Sequence, residues 1–488
     1  MNRAKGFMKR TLPQESLQEI AVRLEQAHKA LQRRYPGVGT ERQPVHVVYG
    51  GAHLFRSGTT RRLGDLALRS LDEYAPDFAT FAKSIGLTGS SSLPQAPDAT
   101  ASIARSIESD PQVARRENQN AWLAHTIYRR VREKLRREPV EDFRLDFEDG
   151  YGNRPDDEED AHAVSAAAEI SNGMDAGELP PFIGIRIKPL TEELRDRSIR
   201  TLDIFLTQLA EKSRGKLPPH FCITLPKVAL ADEVAALADI CSRLEPMLDF
   251  DPGALRIELM VETSQAIFNE RGETNLLALA SAARGRCVAA HFGPFDYTAS
   301  LGIAAPKSAG VHAASDFARR VMQVALADTG IRIADGPLNI LPIPPHRAAQ
   351  DGPALTARQI DENRAAVHQG WKLEFEHVRG ALENGFYQGW DLHPAQLPAR
   401  FAAVYSFFLE NVESFAARLR NFLEKAAQAT RLGHVFDDAA MVQGLLNYFL
   451  QAIHCGALQA GEVEAITGLT QEELRGGSFV KILARRSA

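Results

Sequence analysis

Cysteine is scarce in this chain, four residues in 488, at positions 222, 241, 287 and 455. Their spacings are neither paired nor of the Cys-x-x-Cys kind, which argues against a disulfide framework or a zinc cage and points to a reducing cytoplasm. Long apolar runs are missing as well. No stretch of about 18 apolar residues occurs, and Met-Asn-Arg-Ala-Lys at the start leads into polar, helix-like sequence without the apolar core of a signal peptide. Neither membrane spanning nor export is expected. Charge of one sign is not in excess: 57 basic against 62 acidic residues leave a net charge of −5. Basic residues are interleaved with acidic ones, so no nucleic-acid partner is expected, and the Arg-rich run at 129–137 reads as a solvated helix face. No glycine-rich Gly-x-Gly-x-x-Gly follows the first apolar run, and Gly50-Gly51 alone is too weak to bind a dinucleotide. No internal repeat or low-complexity tract is visible.

What the chain does have is the composition of an ordinary globular protein, 44% hydrophobic and 24% charged, with length enough to bury a large core. Eight short runs rich in Val, Ile, Leu and Phe stand out, at 45–49, 143–147, 182–187, 221–225, 255–261, 287–292, 338–341 and 385–392. Most are followed by Gly, Pro or an acid and then by a longer stretch of helical periodicity. Strands alternating with helices in this way predict an α/β protein, and eight of them a (β/α)8 TIM barrel over residues 45–400. Residues 1–44 read as a helical N-terminal extension, with Leu17, Ile20, Leu24, Ala27 and Leu31 near one helical face. The spacer at about 75–138 is long for one connection and contains Ser90-Ser-Ser-Leu-Pro-Gln-Ala-Pro97, read as a loop or mobile insertion ahead of a helix at 118–137. After Gln396 the strands stop, and 401–488 is a helical C-terminal region with amphipathic or apolar helices at 401–423 and 441–453. The apolar stretches 401–409 and 445–453 exceed what a barrel's outer ring needs to cover, so a homo-oligomer is expected.

In a TIM barrel, chemistry gathers at the C-terminal ends of strands, and polar residues fall there in nearly every run. The second run ends in Asp146, Glu148 and Asp149; strand alternation puts Asp146 and Glu148 on one face while Asp149 begins the loop. Carboxylates crowded in this way stay charged only with a cation among them, a metal ion, an arginine or both. The third run supplies Arg186 and Lys188, the fourth ends in Pro226-Lys227, and the fifth ends in Glu262. The sixth reads His291-Phe-Gly293-Pro294-Phe-Asp296, and the eighth ends Trp390-Asp391-Leu-His393-Pro-Ala-Gln396.

Taken in order, these segments resemble the superfamily of citrate lyase beta subunits, malyl-CoA lyases and 2-keto-3-deoxy acid aldolases, related in barrel and metal site to malate synthase. The segments are Leu145-Asp-Phe-Glu-Asp149, Arg186-Ile-Lys188, Pro226-Lys227, Val261-Glu262, Gly293-Pro-Phe-Asp296-Tyr-Thr-Ala-Ser-Leu-Gly302 and the stretch from Gly385 to Gln396. Each motif alone is modest, and six in sequence are specific. The resemblance implies a Mg²⁺ or Mn²⁺ held by Glu262 and Asp296, its octahedron completed by water and the oxygens of a 2-oxo acid. It makes Arg186, Lys227 and Asp438 the catalytic candidates, Asp438 lying in a C-terminal segment that brings an acid to the site in the coenzyme A branch. Arg186, Lys188, Gly293 and Pro294 are the substrate-binding candidates, with Asp146, Glu148, Asp149 and His393 supporting them from behind. For the proton donor or acceptor, His53, His291 and His393 stand beside Asp438, and Asp437 or Asp438 equally suits a helix cap.

Other readings stay open at this stage. Glu262 and Asp296 also suit arginine partners; Arg186 also suits neutralising Asp146, Glu148 and Asp149. Lys227 suits a Schiff base as in class I aldolases, and Lys188, which stands where the family often has asparagine, suits a phosphate, a second carboxylate or plain solvent. The expected function is that of a Mg²⁺-dependent carbon–carbon lyase or aldolase acting on a 2-oxo or 2-hydroxy acid through an enolate, with an acyl-CoA partner as the branch implies. The alternatives are a malate-synthase-like condensation of glyoxylate with acetyl-CoA, and a non-catalytic scaffold that binds metal and dicarboxylate.

Overall fold

The computed structural model describes residues 12, 14–37, 39, 41–304, 309–348, 352–425, 430–432, 435–437, 439–476 and 482. Its centre is a sheet of eight parallel strands: β1 His46–Gly51, β2 Asp142–Asp146, β3 Phe182–Arg186, β4 Cys222–Leu225, β5 Arg256–Val261, β6 Cys287–Phe292, β7 Arg332–Ala334 and β8 Gly389–Asp391. Each pairs with its sequence neighbour, and β1 also pairs with β8. A parallel bridge from Ala334 to Gln388, with the Asp335 N–H donating to the Gln388 carbonyl at 2.8 Å, joins β7 to β8 and closes the ring. This is the expected (β/α)8 TIM barrel. Its strands read as apolar runs because helices cover the outer face; β2, β3 and β4 are buried throughout.

The seventh strand is not where the apolar pattern put it. Residues 338–341 are irregular, and the strand is Arg332–Ala334. Pro337, Pro342, Pro344 and Pro345 surround the apolar run and cannot donate to a ladder. The true strand is three residues long and begins on an arginine, which hid it.

The long spacer is mostly helical. It holds Phe78–Ser84, Pro97–Ser109, Pro111–Glu117 and Gln119–Arg137, with Asp77, Asp110 and Asn118 capping three of them by accepting backbone N–H groups. The expected loop at 90–97 shrinks to one turn, Ser90–Ser92, and a short link. The spacer packs on the barrel's last helices: Phe81 meets Trp371 edge-on at 5.7 Å, and His368 Nε2 bonds to the Tyr74 carbonyl at 2.8 Å.

The stretch expected as one helix at 401–423 is two, Leu397–Glu410 and Val412–Glu424, meeting at Asn411. Helix Ala439–His454 follows a two-stranded antiparallel ribbon of Thr430–Leu432 and Val435–Asp437. Phe401, Val404, Phe408, Leu446 and Phe449 are all at most 1% exposed. The apolar surface that suggested an oligomer is thus covered by the chain itself. No helix among the described residues is long and apolar enough to cross a membrane.

A buried polar chain locks β8 to β1 and to the helix Ala357–Glu383. His46 Nδ1 lies 2.6 Å from Asp391 Oδ2, while its Nε2 accepts the Glu141 N–H at 3.0 Å, so Nδ1 carries the proton. Arg400 Nε donates to both Asp391 oxygens at 2.8 and 3.0 Å, and its Nη2 to Glu374 at 3.1 Å. Gln396 Nε2 also donates to Glu374, at 2.9 Å, while its Oε1 accepts the N–H groups of Leu392 and His393. The terminal Gln of the eighth-strand motif is therefore a latch that shapes the turn after β8. Arg400→Ala would strand two buried carboxylates, and a loss of about 3–5 kcal/mol is expected. Chemical denaturation of the variant beside the wild type measures it.

Candidate active site

Asp146, last in β2, is saturated by its surroundings. Its Oδ1 and Oδ2 accept the N–H groups of Glu148 at 2.9 Å and Gly150 at 2.7 Å, which turns the chain sharply after the strand. Arg186, opposite it in the β2–β3 register, adds a two-pronged contact, Nε at 2.7 Å and Nη2 at 2.5 Å. The guanidinium is 2% exposed and lies over the Tyr49 ring at 4.8 Å, with Trp390 at 5.8 Å. Burial works against its charge, but Asp146 and Glu148 more than offset that and hold it protonated. The third nitrogen is different. Arg186 Nη1 is buried and makes no hydrogen bond, although Glu148 Oε2 lies 3.2 Å away and Asp149 Oδ2 3.7 Å. The indole nitrogen of Trp390 is a second buried donor without an acceptor.

Lys227, just past β4, has a left-handed backbone with φ of 50°. That conformation is costly for a residue with a side chain and persists where its surroundings impose it. Its N–H donates to Glu262 Oε1 at 2.7 Å. Its ammonium contacts Glu148, lies 3.4 Å from Asp149 and 3.5 Å from Asp296. Acidic residues from after β2 and after β6 are thereby drawn together around one cation.

Glu262 follows β5 and is 2% exposed. Burial lifts its carboxyl to about 8, Asp296 adding to the effect and Lys227 and Arg186 opposing it. Asp296, in the first turn of the helix Pro294–Ser300, remains 39% exposed. Gly293 is obligatory between them: a Cβ there would meet Glu262 Oε2 and, at 2.7 Å, the Glu262 Cβ. Pro294 is buried at the start of the same helix. Glu262 and Asp296 are hard oxygen donors, and Glu262 Oε2 receives no hydrogen bond from the described residues. The donor set suits Mg²⁺ or Mn²⁺, which take one or two protein carboxylates and fill the rest with water and substrate. No group of three or more His, Cys, Asp or Glu placed to hold a metal occurs among the described residues.

The remaining candidates lie apart from this cluster. Lys188 is spent inside the wall, its ammonium donating to the Phe147 carbonyl and to Glu159 Oε2, both at 2.7 Å. His393 Nδ1 accepts the Ala395 N–H at 3.1 Å and caps the turn Pro394–Gln396. His53 stands beside Tyr151 with a buried, unpartnered Nδ1. Asp438 lies outside the described residues.

Sequence reading missed the floor of the mouth. Beneath Arg186, Tyr49 donates to Glu258 at 3.2 Å and meets His291 Nδ1 at 2.9 Å. Arg144 contacts Asp142, Glu258 at 3.1 Å and Thr224 at 3.1 Å. The available signal was the strand alternation that puts Arg144, Glu258, Tyr49 and Trp390 on inward positions.

The fold and the mouth together define a (β/α)8 barrel whose strand ends gather an arginine, a lysine and five carboxylates around a polar interior. The chain belongs to the family described as a domain of unknown function, DUF6986, which it matches over residues 24–482. No curated protein sequence matches it. Among solved structures it is similar to a citrate lyase from Burkholderia xenovorans, at 19% identity and a TM-score of 0.48, covering 70% of this chain and 92% of that one. It is also similar to the CitE protein of Mycobacterium tuberculosis in complex with magnesium, acetoacetate and coenzyme A, at 17% identity over 68% of this chain and 95% of that one, TM-score 0.40. A malate synthase from Haloferax volcanii in complex with magnesium and glyoxylate matches at 15% identity over 68% and 89%, TM-score 0.38.

Two measurements probe this geometry. Gly293→Ala forces the Glu262 stem aside, a movement that rotating the carboxylate does not relieve; a stability loss of about 1–3 kcal/mol is expected in urea titration. Burial holds the His291 imidazole down at about 4, with Glu258 pulling the other way. Its folded value lies below its unfolded one, so stability is full above about 6.5 and is lost as pH falls towards 4, where the unfolded chain takes up a proton the folded chain refuses. A fall of about 2 kcal/mol from about pH 7 to about pH 5 is expected from this group, and His291→Gln should flatten the profile.

Proposed function

We propose that this chain is a Mg²⁺- or Mn²⁺-dependent carbon–carbon lyase or aldolase that acts on a 2-oxo or 2-hydroxy acid through an enolate. One observation carries the reading: a buried guanidinium nitrogen, Arg186 Nη1, makes no hydrogen bond, only ion pairs to Glu148 at 3.2 Å and Asp149 at 3.7 Å, and sits in the same strand-end mouth as the carboxylates Glu262 and Asp296. Buried donors are almost always paired, so an orphan in a mouth marks where a ligand's oxygen belongs. The ordered motifs from Asp146 to Gln396 point to the same chemistry.

Glu262 and Asp296 would hold the cation, which when bound supplies Lewis acidity to the 2-oxo group. Arg186 binds the substrate carboxylate or the oxygen that becomes negative as the carbon–carbon bond breaks, and Asp146 fixes the plane of its fork. Tyr49 and Trp390 wall the guanidinium from water, which strengthens its charge-assisted bonds. Lys227 ties Glu148, Asp149 and Asp296 together. Three carboxylates around its ammonium stabilise the charged form, whereas a Schiff base needs the neutral amine. Asp438 is the acid that the C-terminal motif assigns to proton transfer, and an acyl-CoA is the co-substrate that goes with it.

The test is calorimetric titration of chelator-treated protein with Mg²⁺ and pyruvate, oxalate or glyoxylate. Binding of the acid should require the cation and vanish in Asp296→Ala. Arg186→Lys keeps the charge but loses the fork and should weaken binding by about ten- to a hundredfold, the worth of one charge-assisted bond. A positive result leads to turnover assays with malate, citramalate, 4-hydroxy-2-oxo acids and their CoA thioesters. If no acid binds with either cation, the proposal is wrong; borohydride trapping of pyruvate on Lys227 would then identify Schiff-base chemistry instead.

A further inference from the structure

Six residues other than glycine have a left-handed backbone among the described residues: Arg214, His220, Lys227, Asp249, Arg284 and Asp328. Five of them lie between a helix and the strand that follows it, at the end of the barrel away from the mouth, where a chain leaving a helix commonly turns in this way. Lys227 alone follows a strand. A strained backbone persists where its surroundings hold it, and here it lets one residue engage both carboxylates read as cation ligands. The Lys227 N–H donates to Glu262 Oε1 at 2.7 Å, while the ammonium lies 3.5 Å from Asp296 Oδ2.

The ammonium is held unequally. It hydrogen-bonds to Glu148 and, at 3.4 Å, to Asp149, but makes only an ion pair with Asp296. That is the one ion pair Asp296 makes among the described residues. Glu148 and Asp149 follow β2 and Asp296 follows β6, so the lysine reaches across the mouth between them. Carboxylates gathered this closely repel one another unless a cation lies among them, and the chain supplies one of its own. Asp296 cannot give its charge in full to this ammonium and to a divalent cation at once. We propose that the Lys227 ammonium occupies the incoming cation's place on Asp296 and yields it by withdrawing onto Glu148 and Asp149, so that this lysine sets how tightly the mouth holds a divalent cation. The inference rests on the reading of Glu262 and Asp296 as the cation's ligands. Lys227 is then a positioning residue with two parts. Its backbone bond fixes Glu262 Oε1, while Oε2 receives no hydrogen bond from the described residues. Its charge sits on a flexible four-carbon stem that moves while the backbone stays.

Titration of chelator-treated full chain with Mn²⁺, the free ion read by paramagnetic resonance, tests this without any acid or turnover. Lys227→Gln keeps the backbone bond and removes the charge, and it should bind Mn²⁺ about tenfold more tightly than the wild type, because a like charge beside the site is gone. Lys227→Arg keeps the charge and should bind as the wild type does. In an Asp296→Ala background the glutamine substitution should bring no gain, since the effect runs through Asp296. Without Mn²⁺, Lys227→Gln should melt below the wild type, and saturating Mn²⁺ should raise its thermal midpoint by more than it raises the wild type's. Lys227→Asn, which takes a left-handed backbone readily, gives the same comparison if the glutamine variant folds poorly. A lysine with a structural role alone predicts weaker Mn²⁺ binding and a lost midpoint that the ion does not recover. Binding by Lys227→Gln equal to or weaker than the wild type's, or an equal gain in Lys227→Arg, overturns the proposal and leaves the reading of Glu262 and Asp296 standing. Absence of Mn²⁺ binding in the wild type and in Lys227→Gln alike overturns both.

Discussion

The contact between Arg186 and Asp146 organises the mouth of the barrel. Asp146 holds four donors at once, two backbone N–H groups of its own turn and two guanidinium nitrogens. That saturation does two things. It bends the chain after β2 so that Glu148 and Asp149 leave the strand towards Lys227, and it fixes the guanidinium plane against Tyr49 with one nitrogen left over. A lysine in place of Arg186 supplies the charge but not the fork.

Charge pairing inside this barrel is layered. The lower layer, Arg144 with Asp142, Glu258 and Thr224, is closed by ion pairs and hydrogen bonds among its members. The upper layer is not: Glu262 is buried and pushed up to about 8, and Arg186 and Trp390 each keep a buried nitrogen that makes no hydrogen bond. Buried polar groups left incomplete cost stability, so the upper layer carries a cost that the satisfied layer beneath it does not. Outside the barrel, the chain His46, Asp391, Arg400, Glu374 and Gln396 ties the last strand to the first, a structural use for motif residues that sequence reading associates with the site.

Much of the barrel was legible because its strands are apolar runs between breaks and its helices are periodic. β7 was not, since a three-residue strand beginning on arginine carries no pattern of its own and is defined by Ala289, Ala290 and His291 beside it. The spacer was read as partly loop because Ser, Pro and Gln dominate residues 90–97, yet Asp77, Asp110 and Asn118 cap helices on both sides of it. At the mouth, polar residues at strand ends drew attention to Arg186, Lys227, Glu262 and Asp296. Tyr49 and Trp390 escaped it because an aromatic in a strand reads as core until its neighbours are known.

The amino-acid order by itself determined the parallel barrel, the acidic turn after β2 and the apolar face of the N-terminal helix, all consequences of periodicity and of which residues end a strand. Only the tertiary structure decided which charges are satisfied. Arg186 ends β3 and Lys188 follows two residues later, yet one ammonium is spent on Glu159 and Phe147 while one guanidinium nitrogen makes no hydrogen bond. The same holds for the C-terminal helices, apolar in sequence and covered in the fold. Satisfaction and cover depend on residues distant in the chain, so they come into being only when the strands have closed the ring.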